Sequence, residues 1–586
     1  MKNNFPANFR GTKRRRNLTY SSPDGIHTLK STVWRSRVII LVLLTGFLAV
    51  FIRAFHLQHL DSEVWKTRAE IRYTKTEPIP AARGKIFDRN GEVLALSVMR
   101  YKVAIIPDRF KPTVEQMISF SQLIKMDSNE IFKKTQNKKN YFYISSGVKP
   151  SVKNQIKLIG IPGIEFEQVY KRHYPFKNTF ATLLGLTSEQ GVGQEGAEIA
   201  FEEQLKGISG LRSLHVERGN IAFDETIIKK PSPGQDIHLS VDAAMQSIAY
   251  KNALAAKHKH NAKAVSVVVL DSESGDILAM VTAPSFNPEN RKELLLDELR
   301  NRSVTDSFEP GSTFKPFVIA AALDRGLVEP LTIIDTSPGY IKVGGETLRD
   351  FKKFGTLSVS DVLAKSSNVG TIRVALKMDP SQMHRYFASL GFGEVPNIKL
   401  GGVTKGRLTP WQNWDKVTRA TISYGHGVAV SLVQLAQAYT VFARSGDLIT
   451  IGLKKTNFPR KSKKVFSKES VQSVQFMLER ATSSLGTGPG AQVEGFRIAG
   501  KTGTAQKPEK GGYSTNKYVA SFIGIAPVNN PKFVIAVMVD EPKGVRSGGK
   551  VAAPIFSKIA SEALRRLQMS PDSKRQVFPQ TVFLKK

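Results

Sequence analysis

Glu309-Pro310-Gly311-Ser312-Thr313-Phe314-Lys315-Pro316-Phe317 is the stretch from which the rest of the chain is read. Pro310 and Gly311 break the preceding backbone. From Ser312 the apolar residues Phe317, Val318, Ala321 and Ala322 predict a helix, and Pro316 is tolerated only because it falls near the first turn. Ser312 and Lys315 are three positions apart, so their side chains share one face at the helix start. The helix dipole favours negative charge developing there. A serine hydroxyl is a poor nucleophile until a base takes its proton. A lysine amine becomes such a base when burial and nearby cations lower its pKa. Alone, the spacing is weak evidence, because Ser146/Lys149, Ser514/Lys517 and Ser547/Lys550 repeat it.

Two further elements change its weight. Ser366-Ser367-Asn368 follows the helical-looking run from Val359 to Ala364. A hydroxyl beside an amide there relays a proton and holds a substrate carbonyl; an ordinary helix cap reads the same way. Ser285-Phe286-Asn287 and Ser514-Thr515-Asn516 share the pattern. The second element, Lys501-Thr502-Gly503-Thr504, contains the one Lys-Thr-Gly of the chain. A strand there turns Lys501 and Gly503 to one face and Thr502 and Thr504 to the other. Lys501 brings positive charge for an anionic substrate group. Gly503 admits a close backbone or ligand. The N–H of Thr504, with that of Ser312, suits an oxyanion. A plain strand end is the bland alternative.

The three elements occur in one order, Ser366 lying 54 residues after Ser312 and Lys501 a further 135 along. Together they resemble the active site of penicillin-binding proteins and serine β-lactamases. The middle element is Ser-Ser-Asn, not the Ser-Asp-Asn of many lactamases, and their deacylating Glu has no clear counterpart. Arg83-Gly84 with Asp88-Arg89-Asn90-Gly91 resembles the N-terminal signature of class B, monofunctional penicillin-binding proteins. Glu195-Gly196 with Glu198, Phe201 and Gly207 resembles that family's pedestal motif. Asn301-Arg302, Tyr424-Gly425-His426-Gly427 with Gln434-Leu435, Tyr518 to Phe522, and Gly548-Gly549 to Pro554 fit the same family. The likeness runs from residue 38 to about 560 and is greatest to the division-specific subgroup. His426 departs from it, standing where an aromatic residue is more usual.

The resemblance implies a peptidoglycan D,D-transpeptidase. Ser312 attacks the carbonyl between the last two D-alanines of a stem peptide, and a neighbouring stem's amine resolves the acyl-enzyme. Lys315 is the implied base, Ser366 the proton relay and Asn368 the group positioning the substrate amide. Lys501, Thr502 and Thr504 are implied to hold the terminal carboxylate, with Gly503 giving close approach. β-Lactams are implied inhibitors, and no cofactor or metal is implied. The implied setting is the division septum, with a membrane glycosyltransferase and other division proteins as partners; an elongation-specific class B transpeptidase is the alternative.

Composition bounds the rest. The 586 residues carry 85 Lys+Arg against 50 Asp+Glu, a formal charge of +35, which points to an anionic partner: nucleic acid, an anionic membrane or an anionic polymer. Cysteine is absent, which excludes disulfides, thiolate metal sites and a cysteine nucleophile; ten His leave a metal site open in principle. Residues 1–37 hold nine basic residues and one acid, Asp24. Fifteen uncharged positions follow, Val38 to Ile52, before Arg53. A buried core helix and a cleaved signal peptide compete with an uncleaved single-pass anchor. The flank Arg53-Ala54-Phe55-His56-Leu57 lacks small residues at paired cleavage positions. The basic excess before the run fits an anchor with a cytoplasmic N-terminus and the bulk outside. The basic cluster Lys13 to Arg16 then serves topology, and nucleic acid is not expected as a partner.

The expected fold class is α+β and multidomain. Residues 1–37 are expected to form a cytoplasmic tail, 38–58 a transmembrane helix, 59–235 a β-rich pedestal, 236–570 a penicillin-binding, serine β-lactamase-like domain, and 571–586 a loose tail. Within the pedestal, residues 110–160 read as helical and lysine-rich, and Gln194 to Leu205 as an acidic helix. Strands from Val265 to Leu270 and Ile277 to Thr282 match others from Tyr518 to Ala526 and Phe533 to Val539. They predict one antiparallel sheet built from both ends of the domain, flanked by helices. A D,D-carboxypeptidase or lactamase would share the motifs but needs no such pedestal. A β-lactam sensor would carry several spans. A scaffold would have lost its catalytic residues, and a bifunctional enzyme would carry a glycosyltransferase domain.

Overall fold

The computed structural model describes residues 33–60, 63–65, 74–138, 141–217, 221–458, 460–509 and 511–572. The expected basic tail lies largely outside the described residues, as does most of the expected C-terminal tail. The chain divides into two units, residues 1–77 with 212–226, and residues 78–211 with 227–586.

In the first unit a helix spans Val33–Phe55, 23 residues, and runs on into a π turn at His56–Leu60. At 1.5 Å per residue it is about 35 Å long, against a hydrocarbon core of about 30 Å. None of its residues is buried. The Thr45 hydroxyl donates back to the carbonyls of Leu41 and Val42 at 2.9 Å, so it needs no outside partner. The helix begins before Val38, taking in Arg35 and Arg37, because no glycine or proline stops it there. A three-stranded sheet, Thr74–Ile79, Gly210–Glu217 and Ile221–Lys229, has Gly210–Glu217 in the middle. From that strand Arg212 reaches Glu77 at 3.0 Å and Glu225 at 3.4 Å.

The second unit begins with the pedestal. Its longest pairing joins Val93–Ile105 to Ile164–His173, antiparallel, from Leu96↔His173 to Ile105↔Ile164. A hairpin forms around Asn90-Gly91, Ile86–Phe87 pairing with Val93 and Ala95. Residues 110–160 are not purely helical. Strand Phe142–Val148 joins the sheet, and helices Val114–Ile124, Ser128–Gln136 and Pro150–Ile159 pack around Phe120, Ile131, Ile144 and Ile156. The expected acidic helix is broken at Phe201 into Gly196–Ala200 and Glu202–Leu205. Its Glu198 is fully buried, not solvated, between Arg83 Nε at 2.6 Å and Arg172 Nε at 2.7 Å. Asp88, also fully buried, accepts the Asn90 and Glu92 N–H groups and, through Oδ2, the N–H of Ala243 at 3.0 Å. One carboxylate thus shapes the pedestal turn and caps the helix Ala243–Lys259.

That helix opens the α+β part. Its central sheet is five-stranded and antiparallel, in the order Ile277–Ala283, Ala264–Asp271, Phe533–Asp540, Gly512–Ala526, Ala499–Glu509. The two ends of the domain meet where Val267 opposes Val537. Strands so apolar are buried on both faces. Val265, Val267 and Val269 pack with Ala249, Ala253, Ile559 and Ala563 from helices Ala243–Lys259 and Ala553–Arg566. Val268 and Leu270 face the opposite core, with Phe317 of helix Lys315–Asp324, Tyr439 of Leu432–Ala443 and Val474 of Lys468–Thr482. The strand Ala499–Glu509 lies at the sheet edge, which leaves one side of its backbone free for other groups.

Candidate active site

The stretch read first forms a 3-10 turn at Gly311–Phe314 that feeds the helix Lys315–Asp324. Pro316 sits in its first turn, where its missing N–H is not needed. Phe314 and Phe317 anchor the turn from below, their rings 4.6 Å from Phe387 and 5.4 Å from Phe442 respectively. Tyr439, fully buried, donates its O–H to the carbonyl of Thr313 at 2.7 Å. This leaves Ser312 half-buried between the buried Gly311 and Thr313. Gly425 packs so closely that a Cβ on it would lie 2.2 Å from the carbonyl oxygen of Gly311, and its φ is +84°.

Lys315 is the hub of the site. It is fully buried, and its Nζ donates to Ser366 O at 2.6 Å and Asn368 Oδ1 at 2.7 Å, with Ser366 Oγ at 3.3 Å. Ser366 adopts φ +64°, a strained conformation for a non-glycine residue, which turns both its oxygens toward the amine. Burial holds the Lys315 pKa well below the usual lysine value; the Lys501 charge depresses it further, and Asp350 opposes both. A neutral lysine amine has two N–H donors. The two carbonyl oxygens take both, and the lone pair is left for a hydroxyl proton.

The Ser366–Asn368 loop is held from outside by Asp350, which sequence reading missed. Its carboxylate accepts the Ser367 hydroxyl at 2.7 Å, the Val369 N–H at 3.0 Å and the N–H of Asn368. It therefore caps the helix Asn368–Ala375, alongside Ser367, whose hydroxyl accepts the Gly370 N–H at 2.9 Å. The neighbouring Arg349 carbonyl takes the Asn368 amide at 2.9 Å. An aspartate after an arginine carries no local signal; only its fold position gives it this role.

Lys501, Thr502, Gly503 and Thr504 lie on the edge strand Ala499–Glu509. Lys501 is fully buried, which brings its pKa down to about 7. A Cβ on Gly503 would lie 2.9 Å from Thr313 Cγ2 and 3.0 Å from Pro310 O, so a side chain there would push the strand off the turn that carries Ser312. The threonines face the other way. Thr502 Oγ1 is 2.7 Å from Thr487 Oγ1, and the exposed Thr504 accepts the Gly548 N–H at 3.1 Å. The structure thus joins Lys315, Ser366 and Asn368 by hydrogen bonds and brings Lys501 and Gly503 up to them and to the Ser312 turn. Thr502 and Thr504 instead meet Thr487 and Gly548. Among the described residues no three His, Asp or Glu side chains gather as a metal-binding group.

Residues 265–561 match the penicillin binding protein transpeptidase domain, and residues 78–239 match the penicillin-binding protein dimerisation domain. The chain is 37% identical over 539 residues to the probable peptidoglycan D,D-transpeptidase PenA of Neisseria meningitidis, covering 91% of this chain and 92% of that one. It is 31% identical over 555 residues to the peptidoglycan D,D-transpeptidase FtsI of Escherichia coli, covering 92% and 93%. Penicillin binding protein 3 of Mycobacterium tuberculosis, crystallised with aztreonam, superposes with a TM-score of 0.67 at 26% identity, over 85% of this chain and 98% of that chain.

Proposed function

Since this chain belongs to the penicillin-binding protein transpeptidases and is a peptidoglycan D,D-transpeptidase, we propose that it cross-links stem peptides through an acyl-enzyme on Ser312 during septal wall synthesis. Ser312 Oγ attacks the penultimate D-alanine carbonyl, and its proton passes to the neutral Lys315 amine. The N–H groups of Ser312 and Thr504 stabilise the oxyanion. As the C–N bond breaks, Ser366 relays a proton to the departing D-alanine. An amine of a second stem then attacks the ester, gives up its proton by the same route and frees Ser312. Asn368 positions the substrate amide. Lys501, Thr502 and Thr504 receive the terminal carboxylate beside Gly503. A β-lactam opens on Ser312 in the same way and stalls as the acyl-enzyme.

The observation that carries this reading is the buried Lys315, with both carbonyl partners in place and its pKa driven down. The helix Val33–Phe55 supports a single-pass inner-membrane anchor, with the basic residues before it in the cytoplasm and the bulk in the periplasm. Domain limits follow the same reading: tail 1–37, anchor 38–58, pedestal 59–235, transpeptidase 236–570 and tail 571–586. A membrane glycosyltransferase and other division proteins are the proposed partners. Depletion tests the septal role: filamentous cells support it, and rounded cells assign the chain to elongation instead.

A further inference from the structure

A cluster behind the nucleophile turn takes no part in the chemistry above. Glu309, three residues before Ser312, is only 7% exposed. Its Oε1 accepts the Gly427 N–H at 2.9 Å and the Tyr513 O–H at 3.1 Å. Its Oε2 is buried and, among the described residues, has no hydrogen-bond partner. Such an oxygen is costly to bury without a donor. The group facing it is His426 Nδ1, 3.9 Å away. The His426 ring packs against Tyr424 and Tyr513, with centroids 4.9 and 5.5 Å apart.

The elements that meet at Glu309 are those that carry the site. Gly311 N–H donates to Gly425 O at 3.1 Å, and Phe308 and Val430 exchange backbone bonds of 3.0 and 2.9 Å. Tyr513 is the second residue of the strand Gly512–Ala526, which pairs with the strand holding Lys501 to Thr504. The Glu309 carboxylate therefore ties the 424–427 turn and this hairpin to the backbone that bears Ser312.

We propose that His426 is a positioning residue of the transpeptidase reaction: as a neutral imidazole it gives its Nδ1–H to the free oxygen of Glu309, closing a clasp that holds the Tyr513 hairpin and the 424–427 turn against the nucleophile backbone. Active-site hydrogen bonds are often long without substrate and tighten in its presence. The surrounding groups set the direction of the pH response. Burial lowers the His426 pKa most, the Glu309 charge raises it and the Lys315 charge lowers it. Tyr424 and Tyr513 stay neutral, each pushed up to about 12 by burial and then by Glu309, with Arg407 opposing at Tyr513. An open clasp wets the imidazole and returns its pKa toward the ordinary value. The closed clasp therefore binds fewer protons, and acid favours the open one.

The proposal rests on Ser312 being the acylated residue, and its test separates the two. Full-length protein in detergent is followed by hydrogen exchange of residues 511–518 and by the rate of labelling with a fluorescent penicillin. His426→Phe keeps the stacked ring and loses the donor. His426→Asn keeps an N–H near the Nδ1 position and does not titrate. At pH 7.5, His426→Phe should lose about 2- to 10-fold in acylation rate and in hairpin protection, while His426→Asn retains both. Between pH 7.5 and 5, hairpin protection corrected for intrinsic exchange should fall in the wild type and stay level in His426→Asn. Wild-type behaviour of His426→Phe, failure of His426→Asn to restore it, or wild-type protection that ignores pH would each overturn the proposal. If no variant labels at Ser312 but the exchange pattern holds, the clasp stands and the nucleophile assignment falls.

Discussion

Asn368 Oδ1 accepts a hydrogen bond from Lys315 Nζ at 2.7 Å, between residues 53 positions apart. That bond, with the one to Ser366 O, satisfies a neutral amine in a fully buried site and leaves its lone pair for a proton. Lys315→Met keeps most of the side-chain volume and removes the base. The acylation rate by a fluorescent penicillin should fall about 10²- to 10⁴-fold, the usual contribution of a general base. Labelling near the wild-type rate would remove Lys315 from that role.

The pH profile of acylation follows from the charges around Lys315. The reactive form is the neutral amine, so the rate rises with pH through the lowered Lys315 pKa. Lys501 contributes to that lowering while it is itself protonated, below its own pKa of about 7. Lys501→Met should therefore move the acid limb to higher pH, with the largest loss of rate below pH 7. An acid limb that stays in place or moves down would show that Lys501 does not tune the base.

Asp350 acts on the same amine by two routes with opposite signs. Asp350→Ala removes the acceptor for Ser367 Oγ and for the N–H groups of Asn368 and Val369. Lost caps and orphaned donors of this kind cost about 1–3 kcal/mol, so the acylation rate should fall about 10- to 100-fold. The substitution also removes a negative charge that raises the Lys315 pKa, so the acid limb should move to lower pH. A slower variant with an upshifted limb would contradict this account of Asp350.

Far from the site, Glu198→Ala should act on stability alone. It leaves Arg83 and Arg172 buried without their shared carboxylate, a loss of about 3–5 kcal/mol for a broken buried pair. Thermal melts should shift down by several degrees, while the acylation rate of the folded fraction stays at the wild-type value. An unchanged melting curve would refute the structural reading of this network.

Local patterns were legible in the sequence and distant partnerships were not. The sheet could be read because Val265 to Leu270 and Phe533 to Val539 are short apolar runs bounded by turns, and these are what a strand buried on both faces requires. Each motif of the site spans only a few residues, and the helix and strand predicted around Lys315 and Lys501 form. Glu198 read only as part of an acidic helix, with no sign of its buried partners, because they lie 115 and 26 residues away. Tyr513 gave no sign of its bond to Glu309, 204 residues distant. Phe142–Val148 was hidden inside a lysine-rich region because a single seven-residue strand, half exposed, carries little periodicity of its own.

Covalent labelling with a fluorescent penicillin, followed by digestion and mapping of the labelled peptide, tests the central claim most directly. The label should sit on Ser312, and Ser312→Ala should abolish it while the melting temperature stays close to wild type. Label retained in Ser312→Ala, or mapped to a peptide that lacks residue 312, would contradict the account.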